Sequence, residues 1–156
     1  MSTITTYNPA TEQEIKTYKL MTEQEATEQL DACHTAFLEW RKLSHKERAP
    51  YLKKIGQKLR DHADELAALM TAEMGKLLVD GHTEIELCAA ILDYTAEHGP
   101  KVLADETRQP ESASRGIITY APLGVIYGIQ PWNFPAYQAV RYSIASLMAG
   151  NGVLLK

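Results

Sequence analysis

Apolar residues fall at helical spacing through most of the first hundred positions, and the period shortens abruptly after them. Ala26, Leu30, Cys33, Phe37 and Trp40 recur every three or four residues, which predicts an amphipathic helix over 23–42 with one buried stripe. Thr22-Glu23-Gln24-Glu25 precedes it as a capping box, in which the Thr oxygen and the Glu carboxylate satisfy N–H groups that the first turn leaves unpaired. Ser44-His45-Lys46-Glu47 repeats the signal before a second helix that turns Leu52, Ile55 and Leu59 inward, with Pro50 expected to kink it or delay its start. A third helix, capped by Asp61 and carrying Leu66, Leu69 and Met70, ends at Gly75 in a left-handed conformation. A fourth runs from about Leu78 to His98, with Ile85, Cys88, Leu92 and Ala96 on one face and Gly99-Pro100 as its stop. Ahead of all four, Tyr7-Asn8-Pro9-Ala10-Thr11 reads as a turn and 15–20 as a short half-buried strand.

Residues 101–113 are polar and read as a loop. Gly116 to Ala121 then reads as a strand and Leu123-Gly124 as a turn. Val125-Ile126-Tyr127-Gly128-Ile129 is a contiguous apolar strand of the kind that parallel sheets bury on both faces. Gln130-Pro131-Trp132-Asn133-Phe134-Pro135 is a rigid turn, Ala136 to Ala149 a helix of small and apolar residues, and Val153 to Lys156 a second strand. Strand, helix, strand is a βαβ unit. A strand of about seven residues advances roughly 23 Å, and a helix of about fourteen returns roughly 21 Å. The second strand therefore starts level with the first and runs parallel to it. Both carboxyl ends then share one edge, which sets Trp132 and Asn133 beside Lys156 at the rim where open α/β sheets take their ligands. The predicted fold class is α/β, a mainly helical part followed by one βαβ unit. That unit is incomplete, because two parallel strands need further cover.

Composition narrows the function classes. A chain of 156 residues that is 45% hydrophobic and 23% charged fits one globular domain or a little more. Sixteen Lys and Arg against 20 Asp and Glu, a net charge of -4, argue against nucleic acid or an anionic membrane as the main partner. No apolar run approaches the ~20 residues of a membrane span, and Met1-Ser2-Thr3-Ile4-Thr5-Thr6 lacks the basic and apolar regions of a secretory signal. Two cysteines make no disulfide framework and suggest a reducing compartment, so a cytoplasmic location is expected.

Few residues offer chemistry by themselves. Asn133, flanked by two aromatic residues and two prolines, can aim a preorganised N–H at an oxygen that gains negative charge. It can equally be a turn asparagine that caps the following helix. Lys156 suits a phosphate or ribose hydroxyls, or is a solvated strand end. Arg141, eight residues after Asn133 and about two turns into the helix, suits a substrate carboxylate held bidentately, or solvent. Cys33 and Cys88 lie on apolar stripes and read as core. His34, His45, His62, His82 and His98 show no metal-ligand spacing, so no metal site is expected. Gly150-Asn151-Gly152 precedes a strand and is not a phosphate loop.

Pro131-Trp132-Asn133-Phe134-Pro135 resembles the signature of the NAD(P)-dependent aldehyde dehydrogenase superfamily. Tyr7 to Thr11 is similar to that family's opening turn, Glu73-Met74-Gly75-Lys76 to its E-x-G-K stretch, Tyr120 to Val125 to the approach to its first cofactor strand, and Leu147 to Lys156 to its A-G-N-x-x-x-x-K stretch. Within the superfamily the chain resembles the bacterial succinate-semialdehyde dehydrogenases. The resemblance implies a Rossmann-like cofactor domain, NAD or NADP as cofactor and a small-molecule aldehyde as substrate, oxidised through a cysteine thiohemiacetal. It implies that Asn133 supplies the oxyanion-hole amide, that Gln130, Pro131, Trp132 and Asn133 line the cofactor cleft, and that Lys156 reaches the adenosine ribose. Arg141 coincides with an arginine that succinate-semialdehyde enzymes use near the substrate carboxylate.

The same resemblance divides the chain into a mainly helical part (1–113), an oligomerisation-type strand (114–122) implying a dimer or tetramer, and the first βαβ crossover (123–156). The family's nucleophilic cysteine, its glutamate base and its G-S-T-x-x-G turn have no match here. The expectation is an N-terminal segment that is inactive and poorly folded alone. The rival expectation is a short non-catalytic protein that binds nucleotide or a full-length subunit through its sheet edge. A helical interaction module is disfavoured by the strand pair.

Overall fold

The computed structural model describes residues 2–109 and 115–156. It opens with an antiparallel hairpin of β1 (Thr3–Tyr7) and β2 (Glu14–Lys19), Thr3 standing opposite Lys19. Asn8 makes the turn: its Oδ1 accepts from the Ala10 and Thr11 N–H groups at 2.9 and 3.3 Å, and Glu12 takes φ 60°. Only β2 was expected from the sequence. Thr3-Ile4-Thr5-Thr6-Tyr7 has β-branched propensity but little burial, so no apolar alternation announces it.

Helices α1 (Glu23–Trp40) and α2 (His45–Asp61) both begin with the expected capping boxes. The single buried stripe of α1 is not observed. Leu30 is 47% exposed and Phe37 alone is fully buried, because only the C-terminal half of α1 reaches the sheet. Pro50 does not delay α2, which runs on from His45 through it. The carbonyl that Pro50 leaves free belongs to Lys46, on the exposed face, where water can satisfy it. Leu52 is buried as expected, whereas Ile55 is exposed.

Asp61 does not cap the third helix, α3 (Ala63–Met74). It is the last residue of α2 and accepts from Gln57 Nε2 at 2.9 Å, leaving as N-cap His62, whose side chain makes no capping bond to the helix backbone. Leu69 points outward, and Gly75 closes α3 at φ 72° as expected. The fourth helix, α4 (Leu78–Val102), continues through Gly99-Pro100 instead of stopping there. Gly99 is a contact point: a Cβ on it would fall 2.6 Å from Met148 Cγ.

The stretch expected as loop holds the end of α4 and a strand, β3 (Glu106–Arg108), paired antiparallel with β4 (Gly116–Ile118). β3 is polar and exposed, which hid it, and β4 stops at Ile118, short of the expected Ala121. Residues 110–113 of that loop, and the division between 113 and 114, lie outside the described residues.

The predicted βαβ unit is present as β5 (Val125–Gly128), α5 (Pro135–Met148) and β6 (Gly152–Leu155). β5 and β6 are parallel, with Val125 opposite Gly152 and Gly128 opposite Leu155. Burial on both faces is not observed. Tyr127 is 57% and Ile129 71% exposed, since the described sheet has two strands, against which α5 and the C-terminal half of α1 pack. The core lies among α2, α4 and α5, where Leu52, Leu92, Ala96, Ile144 and Met148 pack around Cys88.

Candidate functional site

The carboxyl ends of β5 and β6 meet at one rim. Lys156 N–H donates to the Gly128 carbonyl at 2.9 Å, and Gln130 N–H donates to the Lys156 carbonyl at 3.1 Å. The parallel ladder thus carries on past both strands and sets Gln130 beside Lys156. Pro131 to Phe134 leave this rim as an exposed turn, with Trp132 76% exposed. The Asn133 side chain is exposed and makes no hydrogen bond among the described residues. Arg141 is separate from the rim, exposed along α5, its guanidinium 6.0 Å from the Tyr137 ring centroid.

What holds the turn is a charge pair that the sequence reading overlooked. Pro135 is the first residue of α5 and has no N–H, so Ala136 and Tyr137 carry the first donors that the helix leaves unpaired. Both donate to Glu84 Oε1 at 2.9 Å. The other Glu84 oxygen accepts from Lys76 Nζ, and the side chains are 1% and 9% exposed. Lys76 Nζ also sits 3.8 Å from the Phe134 ring centroid. Glu84, from α4, therefore caps α5, and Asn133 does not. The missed signal was a carboxylate on a buried stripe, one turn before Cys88.

The rest of the unit is pinned by side chains reaching the backbone. Tyr142 shares its hydroxyl proton between the Ile126 and Leu154 carbonyls, one on each strand. Its ring fills the space over Gly128, where a Cβ would fall 2.5 Å from Tyr142 Cζ. Asn151 Oδ1 accepts from Leu123 N–H at 2.7 Å and Gly124 N–H at 3.1 Å, while its amide donates to the Ser146 carbonyl at 3.2 Å. Asn151 is buried and its bonds fasten the entrance of β5 to the exit of α5.

Neither cysteine has the setting of a nucleophile. Cys88 is wholly buried, and burial, with Glu84 close by, pushes its thiol up to about 12. Cys33 is half-buried and its thiol donates to the Val153 carbonyl at 3.6 Å. A cavity of about 450 Å³ opens beside Trp132, between α3 and the start of α5, lined by Met70, Glu73, Met74 and Pro135. Among the described residues no cluster of three His, Cys, Asp or Glu side chains could hold a metal, and no helix is long and apolar enough to cross a membrane.

The model of the aldehyde dehydrogenase family matches residues 1–156. The chain belongs to that family. Among curated relatives of this chain, the succinate-semialdehyde dehydrogenase [NADP(+)] of Deinococcus radiodurans is 39% identical over 151 residues, 97% of this chain and 31% of the relative. A probable succinate-semialdehyde dehydrogenase [NADP(+)] of Synechocystis is 40% identical over 98% of this chain and 34% of its own length. Among solved structures, the succinic semialdehyde dehydrogenase of Streptococcus pyogenes in complex with NADP+ superposes with a TM-score of 0.90 at 33% identity, over 97% of this chain and 33% of that one. A betaine aldehyde dehydrogenase of Staphylococcus aureus in complex with NAD+ gives 0.89 at 26% identity, over 98% and 31%. The chain spans about a third of the length of the relatives it matches.

Proposed function

We propose that these residues form the first part of the cofactor domain of an enzyme that oxidises succinate semialdehyde to the dicarboxylic acid with NAD+ or NADP+. The observation that carries this is the common rim of β5 and β6, from which the exposed Trp132-Asn133 turn departs beside Lys156. The names of the curated relatives support the aldehyde and favour NADP+. The rim fits a dinucleotide: an exposed indole offers a stacking face, and an exposed ammonium at a strand's carboxyl end offers a donor to ribose hydroxyls or phosphate. Gln130, Pro131, Trp132 and Asn133 would line its cleft, and Lys156 would meet its adenosine ribose. Such a cofactor accepts the hydride of the oxidation.

Asn133 is the oxyanion donor in this reading. Its amide has no partner of its own among the described residues, so it can meet the alkoxide that forms when a thiolate adds to the aldehyde carbonyl. Arg141 would hold the distal carboxylate of the substrate. The nucleophile and the water-activating base come from outside these 156 residues, as the burial of Cys88 agrees. The exposed Ile117 and Ile118 of β4 fit an oligomerisation strand, giving a dimer or tetramer. The division into 1–113, 114–122 and 123–156 and a cytoplasmic location belong to the same proposal.

A steady-state assay of the complete gene product, with succinate semialdehyde and each nucleotide in turn, tests it. Reduction of NADP+ or NAD+ is expected, and none with either would end the proposal. Arg141→Ala should raise KM for succinate semialdehyde while leaving KM for an uncharged aldehyde of similar length in place.

A further inference from the structure

We propose that Lys76 and Glu84 are positioning residues that set the aim of the Asn133 amide. The inference rests on the oxyanion reading of Asn133. Between the end of β5 at Gly128 and the start of α5 at Pro135 the chain crosses six residues, and both ends of that crossing are tied down. At the near end the Gln130 N–H is held by Lys156. At the far end the two free N–H groups of α5 converge on one oxygen of Glu84, at 2.9 Å each. A carboxylate there also meets the positive end of the helix dipole. Being 1% exposed, Glu84 needs compensation beyond two amides, and Lys76 supplies it from the end of α3. The same ammonium lies 3.8 Å from the centre of the Phe134 ring, the residue directly after Asn133. One cation therefore neutralises the cap that fixes Pro135 and fixes the ring that borders Asn133. Neither side chain has to touch substrate to do this.

The geometry predicts a loss that appears in kcat. In the complete gene product Lys76→Met should lower kcat by about ten- to a hundredfold, the cost of a donor displaced by a fraction of an ångström to an ångström. KM for the nucleotide should stay within about twofold, and Lys76→Arg should recover most of the rate. Asn133→Ala should lower kcat similarly, and adding Lys76→Met to it should cost nothing further, because the lysine acts through the asparagine. If Lys76→Met does not fold, as judged by circular dichroism, Glu84→Asp takes its place. It keeps the charge and withdraws the oxygens by one methylene, and carries the same expectations. Additive losses, or a wild-type kcat in a folded Lys76→Met enzyme whose Asn133→Ala counterpart is slow, would overturn the positioning role alone. An Asn133→Ala enzyme with wild-type kcat would overturn the oxyanion reading and the positioning role with it.

Discussion

Arg48 donates to the Met148 carbonyl at 2.9 Å across 100 residues of sequence. Its guanidinium is also within hydrogen-bonding reach of the Arg41 carbonyl at 3.1 Å and the Trp40 carbonyl at 3.4 Å, and the residue is 3% exposed. Three carbonyls at the C-terminal ends of α1 and α5 thus converge on one planar cation, and each end presents the negative pole of a helix. Arg48 pairs with no carboxylate among the described residues. Its compensation is backbone. The fork geometry makes lysine a poor substitute, since one ammonium cannot span three fixed acceptors. Arg48→Met should lose about 3 kcal/mol of stability in urea denaturation, and Arg48→Lys more than half of that. A loss under about 1 kcal/mol for Arg48→Met would mean that water takes over the carbonyls.

Tyr142 and Gly128 are a matched pair. A methyl group at Gly128 would sit 2.5 Å from Tyr142 Cζ, so Gly128→Ala must drive the ring from beneath the sheet and break its bond to the strand carbonyls. The expected cost is about 2–3 kcal/mol, against about 1 kcal/mol for Tyr142→Phe, which removes the hydroxyl alone. Because the two side chains share one space, Gly128→Ala made in a Tyr142→Ala background should cost clearly less than in the wild type. Equal costs in both backgrounds, measured as midpoint shifts in denaturant, would dissolve the pairing.

The two thiols should separate cleanly by reactivity. Cys88 is raised to about 12 and fully buried, so below pH 9 it holds its proton and stays shielded. Cys33 borders a cavity of about 630 Å³ along the C-terminal half of α1 and is reachable. At pH 8 in the native state iodoacetamide should modify Cys33 alone, and in denaturant both. Peptide mass mapping that finds Cys88 alkylated at a comparable native rate would contradict its burial.

The helices, their capping boxes and the crossover were legible because each leaves a local mark: Thr22 and Ser44 stand three residues before a glutamate, and Val125 to Lys156 changes period where the strands begin. Burial was overestimated. The stripe of α1 and the apolar run of β5 were assigned full cover from pattern alone, and pattern does not reveal how many elements stack against a face. The strands β1 and β3 were invisible because they pair with little burial, so no alternation is imposed on them. At the site, Asn133, Trp132 and Lys156 stood out by residue type and place. Glu84 did not, since its partners are 8 and 52 residues away in sequence and only the fold brings α3, α4 and α5 to one point.

The capping box of α1 makes a pH signature that can be read directly. Glu25 is lowered from 4.5 to about 2, first by the Lys19 ammonium, whose Nζ lies 2.5 Å from Oε1, then by the Thr22 N–H, which donates to Oε2 at 2.8 Å. The folded value lies below the unfolded one, so whatever the box contributes is fully present above 4.5 and is lost as the pH falls through about 2. Both groups are exposed, which makes the titration midpoint a better observable than stability. Carboxyl-carbon NMR should find Glu25 titrating well below the ordinary glutamate value of 4.5. Lys19→Met should move it upward without reaching 4.5, because the backbone donor stays, and Thr22→Ala should move it less than Lys19→Met, because only the hydroxyl's share is removed. A Glu25 midpoint near 4.5 in the wild-type chain would show that neither the ion pair across the turn nor the Thr22 N–H bond forms.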